Sequence, residues 1–252
     1  MMPKLGGMTR YGIPEYRLPK EVLQWETDGI LNLGIEFQGN VRLGIDYTLG
    51  SLKNEEGYDA IFMGVGAWKD YKLRAEGEDL KGCFTGIDFL TRFASHQQGD
   101  SPDDVPVGKK CVVIGGGNTA IDCARTSLRL GAEKVTIVYR RSRHELPARA
   151  EEVHHAEEEG INFMLLTSPV KYIGTDNSLL KGIECIRMEL GEPDTSGRRR
   201  PVPIEDSNFI VECDLAIVAI GNGPNPIIFN TTPDMKLNKR GYNQADPETR
   251  AT

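Results

Sequence analysis

The sequence predicts an α/β fold in which an antiparallel meander accompanies a parallel sheet. Within residues 110–141, an apolar run meets three glycines, a helical pattern follows, and a second apolar run comes after Gly131. This order of strand, glycine turn, helix and strand is typical of parallel α/β units. Strand-like segments after residue 170 follow one another too closely for helical crossovers, which favours the meander.

The composition is that of an ordinary soluble globular protein. With 252 residues, the chain has room for one large domain or two modest ones. Its net charge of -7 shows no basic excess that would indicate nucleic acid as a partner. No apolar run approaches the roughly 18 residues of a membrane span, and the N-terminus lacks the apolar core of a signal peptide. We therefore expect a cytoplasmic protein without a membrane partner.

The cysteines predict neither a metal site nor a disulfide framework. They are odd in number and scattered, at Cys83, Cys111, Cys123, Cys185 and Cys213. No two of them form the C-x-x-C spacing of zinc, iron-sulfur or dithiol sites. We expect no metal ligands in this chain.

Upstream of the glycines, the pattern predicts two helices and two strands. Residues 20–33 and 48–55 have helical patterns, the first of them amphipathic and ended by Gly34. Residues 35–37 form a short strand candidate. A longer apolar run, 58–63, leads into a Gly-x-Gly-Ala turn, which is typical of close approach by a ligand or another chain segment.

The segments on either side of the central unit complete its predicted sheet. Residues 80–93 predict a short strand or turn followed by a helix, and the polar, proline-containing stretch 97–107 is a linker candidate. After the central unit, residues 143–149 form a loop at the carboxyl edge of the sheet. A charged helix over 150–160 and a third parallel strand over 161–166 follow.

The predicted meander comes next. Strand-like alternation covers 170–174, 180–190 and 208–220, separated by turn signals that include 191–197. Residues 213–220 are apolar apart from Asp214, which predicts a central strand. The tail, 229–252, is polar and rich in turn residues.

The glycine turn fits the pattern G-x-G-x-x-A. It consists of Gly115, Gly116, Gly117, Asn118, Thr119 and Ala120. In this pattern Gly115 allows a tight turn off the strand, Gly117 lets a pyrophosphate approach the backbone, and Ala120 packs the helix against the sheet. The free N–H groups at the start of the helix would hold the phosphates. The turn predicts a Rossmann-like dinucleotide site; a turn that holds another nucleotide, or none, is the alternative.

The end of the second strand predicts which dinucleotide binds. A domain that selects NAD usually has an acidic residue there to bind the ribose 2′-OH. This chain instead has Arg140, Arg141 and Arg143, and no acid before Glu145. A guanidinium group can bind a phosphate through two parallel hydrogen bonds. The sequence therefore predicts NADP(H), with Arg140 and Arg141 as ligands; a solvated arginine surface is the alternative.

Five stretches together carry a resemblance to a known family. They are YGIPEYRLPK (11–20), GYDAIFMGVGA (57–67), VIGGGNTAIDCARTSLRLGA (113–132), VTIVYRRSRHELPARAEEVHHAEEEG (135–160) and AIVAIGNGPNP (216–226). With them, the chain resembles the small (β) subunit of NADPH-dependent glutamate synthase. Similar relatives are the large subunit of electron-bifurcating ferredoxin:NADP oxidoreductase and the flavin and NADPH half of dihydropyrimidine dehydrogenase.

The resemblance implies a two-dinucleotide flavoprotein, in which a Rossmann-like NADP domain is inserted into an FAD domain. We expect residues 1–104 to be partial FAD-domain material and residues 105–226 to be the NADP(H)-binding domain. Residues 227–252 would return toward the FAD domain. The family's FAD glycine motif, its later flavin segment and its iron-sulfur cysteines have no match here. We therefore expect a fragment or a truncated homologue.

The resemblance also implies roles for the site residues. The glycine turn would hold the NADP pyrophosphate, Arg140 and Arg141 the 2′-phosphate with help from Arg149, and the strand end the nicotinamide. The residues expected at that strand end are Ala219, Ile220 and Gly221.

The reaction that the resemblance implies is hydride transfer from NADPH to FAD, with electrons passed to an iron-sulfur domain or a large subunit. The hydride step needs no acid or base, so we expect no catalytic residue in this chain. An NADP(H)-binding module without redox activity is the alternative. A methyltransferase-like Rossmann fold is disfavoured by the arginines after the second strand.

Overall fold

The computed structural model describes residues 2–101, 104–194 and 197–249. Parts of the predicted linker (102–103), of the turn predicted at 191–197 (195–196) and of the tail (250–252) lie outside these ranges. The chain divides into two compact units. One lies within residues 1–7, 21–69 and 222–252, and the other lies within residues 8–20 and 70–221.

Helices and strands alternate between residues 83 and 164. The helices of the described residues are α1 (Met8–Tyr11), α2 (Lys20–Leu31), α3 (Leu49–Asn54), α4 (Gly86–Gln97), α5 (Asn118–Arg129), α6 (Ala150–Glu158) and α7 (Ile227–Asn230). The strands are β1 (Lys69–Asp70), β2 (Cys83–Thr85), β3 (Lys110–Ile114), β4 (Lys134–Val138), β5 (Asn162–Met164), β6 (Thr167–Gly174), β7 (Leu180–Pro193), β8 (Arg199–Pro203), β9 (Phe209–Glu212), β10 (Leu215–Val218) and β11 (Asn222–Gly223). A 3₁₀ turn covers Arg143–Glu145.

The larger unit is built around a five-stranded parallel sheet. Its strand order is β2-β10-β3-β4-β5, and Val113 of β3 pairs with Ile217 of β10 on one side and Ile137 of β4 on the other. The third parallel strand predicted at 161–166 is β5, and the strand predicted to be central is β10. Both predictions are confirmed.

Both faces of this sheet are covered. On one face, side chains such as Val113 and Ile137 pack against α4, α5 and α6. On the other face, Val112 and Ile114 lie in a second buried cluster with Tyr172. Tyr172 belongs to β6, in the antiparallel sheet. Because β3 and β10 are buried on both faces, they are continuous apolar runs in the sequence.

The antiparallel sheet is organised around the long strand β7. It pairs with β6, β8 and β9, all antiparallel, which confirms the predicted meander for 170–174, 180–190 and the first part of 208–220. The last part of 208–220 was wrongly predicted to belong to it, because β10 pairs in parallel with β2 and β3. The strand β8 was not predicted, because its sequence carries two arginines and two prolines. Proline is tolerated at a sheet edge, where its missing N–H breaks no ladder bond. Among the described strands, β8 pairs only with β7.

The smaller unit has little regular structure. Helix α2 ends at Leu31, earlier than predicted, and α3 lies inside the helix predicted at 48–55, where Thr48 and Ser51 form a capping box. The strands predicted at 35–37 and 58–63 were wrong, and both segments are irregular. A strand needs a partner for its backbone groups, and no described strand pairs with either segment.

None of the described helices has a stretch that is both long and apolar enough to cross a bilayer.

Candidate functional site

The predicted site residues meet at the carboxyl edge of the parallel sheet. From β3, the strand order runs to β4 on one side and to β10 on the other, which makes this edge a topological switch point where ligands of open α/β sheets bind. A cleft of about 410 Å³ lies there. The predicted residues that line it are Gly115, Gly116, Gly117, Thr119, Arg140, Arg141, Ala219, Ile220 and Gly221.

The first two glycines are required by packing within the protein. Gly115 has φ +147°, and a Cβ built on it would lie 2.2 Å from the carbonyl oxygen of Ala219. A Cβ on Gly116 would lie 2.7 Å from ring atoms of Tyr139. Gly115 therefore lets the ends of β3 and β10 approach each other closely, and Gly116 leaves room for the ring of Tyr139 after β4.

Gly117 differs from its neighbours. A Cβ on this residue would come no closer than 4.0 Å to a protein atom, the Cγ of Pro147. Gly117 is also the N-cap of α5, where no side chain caps the helix and no acidic residue occupies the first turn. Uncapped N–H groups and the positive end of the helix dipole suit an anionic group such as a phosphate. The room at Gly117 therefore fits a bound pyrophosphate.

Three predicted site residues lie beside the cleft and not on it. The Asn118 side-chain oxygen accepts a hydrogen bond from the Arg149 N–H (3.0 Å), so these two residues fasten the following loop to α5. The Arg149 side chain is exposed. Ala120 is fully buried beneath the turn.

The loop after β4 is held in place by hydrogen bonds to the glycine turn, to Tyr139 and within the loop itself. The Ala148 N–H donates to the Gly116 carbonyl (3.0 Å), and the Tyr139 hydroxyl donates to the Glu145 carbonyl (2.7 Å). The Ser142 hydroxyl, hydrogen-bonded to the Glu145 carboxylate (2.5 Å), lowers the pKa of that carboxyl. The loop thus forms a fixed wall next to the glycine turn.

The two predicted arginine ligands lie in different environments. Arg140 is exposed, and no described residue accepts a hydrogen bond from its guanidinium. Arg141 is buried, with its Nε donating to the Arg199 carbonyl (2.7 Å) and its Nη2 paired with Asp194 (2.8 Å). Arg141 therefore joins the cleft to the β7–β8 hairpin.

The nicotinamide end predicted at 219–221 also lies on the cleft. The Ala219 N–H donates to the Ile114 carbonyl (2.8 Å), which extends the pairing of β3 with β10 past the strand ends. Ala219 is buried, whereas Ile220 is 43% exposed. Nearby, a Cβ on Gly86 would lie 3.1 Å from the Ala219 Cβ, so α4 also begins at this edge.

Several lining residues were missed by the sequence prediction. They are Leu73, Pro147, Thr167, Ser168, Pro169 and Arg198. Pro147 lies in the loop predicted at this edge but was not singled out. The others come from the antiparallel sheet and from the segment before β2, and nothing in their local sequence signals contact with the glycine turn. Among the described residues, no group of His, Cys, Asp and Glu side chains has an arrangement that could hold a metal ion.

The chain matches one family model over nearly its whole length. The family is described as Pyridine nucleotide-disulphide oxidoreductase, and the match covers residues 8–252. Several solved structures share the fold. FprA from Mycobacterium tuberculosis in complex with NADPH aligns with a TM-score of 0.76 at 23% identity, over 99% of this chain and 67% of that one. The thioredoxin reductase of T. acidophilum aligns with a TM-score of 0.61 at 18% identity, over 97% and 75%. The predicted two-dinucleotide flavoprotein fold is confirmed.

Curated relatives are more similar in sequence. The chain is 46% identical over 227 residues to the NADPH-Fe(3+) oxidoreductase subunit beta of Geobacter sulfurreducens, over 87% of this chain and 32% of that protein. It is 36% identical over 244 residues to the glutamate synthase [NADPH] small chain of Escherichia coli, over 95% and 51%. These matches confirm the resemblance predicted from the sequence. The chain spans about a third to a half of the length of these two relatives.

Proposed function

Because this chain belongs to the pyridine nucleotide-disulphide oxidoreductase family, we propose that its cleft binds NADP(H). The whole protein is then an NADPH-dependent oxidoreductase of the glutamate synthase small subunit type. The relatives whose names include NADPH support both statements.

One observation of the structure carries the nucleotide assignment. The uncapped N-terminus of α5 and the unfilled space at Gly117 lie on the same cleft as the exposed Arg140. The helix start suits a pyrophosphate, and an arginine after the second strand suits a 2′-phosphate. A site for NAD would have an acidic residue in place of that arginine.

The proposed placement of the dinucleotide follows the cleft. Its pyrophosphate lies on residues 115–117 and on the first N–H groups of α5. Its 2′-phosphate lies by Arg140 and Arg141, and its nicotinamide by residues 219–221. The hydrogen bond between Asn118 and Arg149 holds in place the loop that lies beside the site.

When bound, NADPH would supply a hydride to the FAD of the whole protein. The residues of this chain bind and orient the nucleotide, and no side chain of the cleft has to move a proton. We further propose that electrons pass to an iron-sulfur domain or a large subunit, because relatives are named as subunits. We place the protein in the cytoplasm and propose that its flavin-domain material lies within residues 1–104 and 227–252.

The Arg140→Ala variant tests the nucleotide assignment. We expect its affinity for NADPH to fall about tenfold and its affinity for NADH to stay unchanged, since a charge-assisted hydrogen bond to phosphate contributes about 1.4 kcal/mol or more. Isothermal titration calorimetry measures both. Arg143→Ala is the matched control, because Arg143 belongs to the same loop but pairs with Glu157 away from the cleft. An Arg140→Ala variant with wild-type affinity for NADPH contradicts the assignment.

A further inference from the structure

We propose that Arg198 is a further specificity-determining residue, which binds the 2′-phosphate of NADP(H) together with Arg140. This proposal rests on the proposed nucleotide function and assigns a residue from the antiparallel sheet to it. Arg198 lies immediately before β8, far in sequence from the glycine turn and from β4. It nevertheless lines the same cleft as Arg140 and Arg141.

The backbone on both sides of Arg198 is anchored to the cleft by a buried residue. The guanidinium of Arg141, which is 5% exposed, pairs with Asp194 (2.8 Å) and donates to the carbonyl of Arg199 (2.7 Å). The Asp194 N–H donates in turn to the carbonyl of Arg198 itself (2.7 Å). Arg198 is therefore held at the cleft by a defined set of contacts. In this arrangement Arg141 is a positioning residue for the hairpin.

The strand end beyond Arg198 is fixed as well. The Arg199 guanidinium folds back on β7 and donates to the carbonyls of Leu190 and Gly191. Arg199 thus ties β8 to β7 and does not line the cleft. Of the neighbouring arginines Arg198, Arg199 and Arg200, only Arg198 belongs to the cleft wall.

The charge of the ligand explains why one exposed arginine is not enough. A phosphate monoester carries about -1.5 to -2 charges near neutral pH. The charge of Arg141 is offset by Asp194 at 2.8 Å, so its net attraction for an anion is reduced. Arg140 and Arg198 are the other two cations among the residues that line the cleft. Arg198 thus adds a second exposed guanidinium to the cleft, from a segment far from β4 in the sequence, for a 2′-phosphate that NADH lacks.

Titration of the full chain with NADPH and with NADH tests the proposal. For Arg198→Ala we expect the Kd for NADPH to rise about tenfold and the Kd for NADH to change by less than about twofold. Arg198→Lys keeps the charge but loses the bidentate geometry, so we expect an intermediate Kd for NADPH. Arg200→Ala is the matched control, because it removes the same charge from β8 at an exposed position away from the cleft. It should leave both affinities unchanged.

The outcomes separate this proposal from the proposed function. If wild-type protein prefers NADPH and both Arg198 variants keep that preference, the role of Arg198 is overturned while the nucleotide function stands. Equal weakening of NADPH and NADH in Arg198→Ala also overturns it, because it indicates a structural role for the hairpin. If the wild-type chain binds neither nucleotide, the proposed function itself fails and this proposal fails with it. Melting temperatures of all variants, measured alongside, identify any loss of fold.

Discussion

The three consecutive glycines of the turn are needed for different physical reasons. Gly115 and Gly116 have neighbours so close that a Cβ would overlap them, whereas Gly117 has space that no protein atom fills. The sequence pattern predicts all three positions, but it assigns the close approach of a phosphate to Gly117 only by analogy with the motif. The structure supplies the reason, since the space at Gly117 opens where the N–H groups of α5 begin.

Substitution by alanine should distinguish the glycine that leaves space for a phosphate from the glycines that are needed for packing. Gly117→Ala should lower the melting temperature only slightly, because its Cβ would have no protein atom closer than 4.0 Å and only the N-cap preference of α5 is lost, and it should bind NADPH more weakly. Gly115→Ala should lower the free energy of unfolding by more than about 1 kcal/mol, because it combines positive φ with a clash against a backbone oxygen. Thermal unfolding and calorimetric titration of both variants check this. Wild-type NADPH affinity in Gly117→Ala would speak against a phosphate at this turn.

The arginines show the limit of prediction from sequence at the residue scale. The position of Arg140 and Arg141 after the second strand is a local signal, and both residues do line the cleft. The burial of Arg141 and its pairing with Asp194 depend on a hairpin that folds back from later in the chain. Arg198 reaches the cleft by the same non-local route, so no local pattern could have identified it.

At the scale of elements, predictions succeeded where the signal is local. The units β3–α5–β4 and α6–β5 carry their periodicity, glycines and turn residues within short windows, and they fold as predicted. Strand order and pairing are non-local, so the position of β2 beside β10 could not be derived. The strand predicted at 58–63 was wrong for the same reason, because apolar residues favour a strand only where a partner strand is available.

Helices α5 and α6 are joined by a carboxylate at the end of α6. Glu159 accepts hydrogen bonds from Arg125 (2.8 Å) and Arg129 (2.7 Å) of α5. The hydrogen bond from Arg129, with help from Arg125, lowers the pKa of Glu159 to about 2. Its folded pKa lies below the ordinary value of 4.5, so its contribution to stability is present above about pH 4.5 and is lost as the pH falls toward about 2.

Glu159→Gln should therefore destabilise the protein in a pH-dependent way. At about pH 7 we expect the free energy of unfolding to fall by about 1 kcal/mol, and we expect this difference to shrink as the pH is lowered below about 4. Urea unfolding at the two pH values measures it. Glu158→Gln removes the same charge at an exposed neighbouring position and should change stability by less than about 0.5 kcal/mol. A Glu159→Gln effect that is independent of pH would contradict the assigned pairing.

At the scale of the whole chain, residues 8–20 belong to the same compact unit as residues 70–221. Arg17 connects them, with Nη1 paired to Asp122 of α5 (2.8 Å) and Nε to Glu152 of α6 (3.0 Å). The guanidinium of Arg129 lies 4.1 Å from the ring centroid of Tyr16, in cation–π contact. The stretch 11–20, singled out in the sequence only by resemblance, thus has a structural role that its local pattern does not show.

Removing Arg17 should leave a buried carboxylate without its partner. Burial raises the pKa of Asp122 to about 6 even with Arg17 beside it. Because the folded pKa lies above the ordinary 3.8, the contribution of Asp122 to stability is present at low pH and is lost as the pH rises through about 6. Without Arg17 that pKa should rise further, since the lowering effect of the guanidinium is gone.

For Arg17→Ala we therefore expect a loss of about 3 kcal/mol near pH 8 and a smaller loss near pH 5, where Asp122 is largely protonated in both proteins. Urea unfolding at both pH values checks this. Arg42→Ala, at an exposed position of the smaller unit, removes the same charge and should cost less than about 0.5 kcal/mol at either pH. A larger loss for Arg17→Ala at the lower pH would contradict the pairing of Arg17 with Asp122.

The central claim is that the cleft at the carboxyl edge of the parallel sheet selects NADP(H). The most direct test is calorimetric titration of the wild-type chain with NADPH and NADH under the same conditions. We expect NADPH to bind at least about tenfold more tightly, because only NADPH presents a 2′-phosphate to the arginines of the cleft. Equal affinities for the two nucleotides, or binding of neither, would contradict the claim.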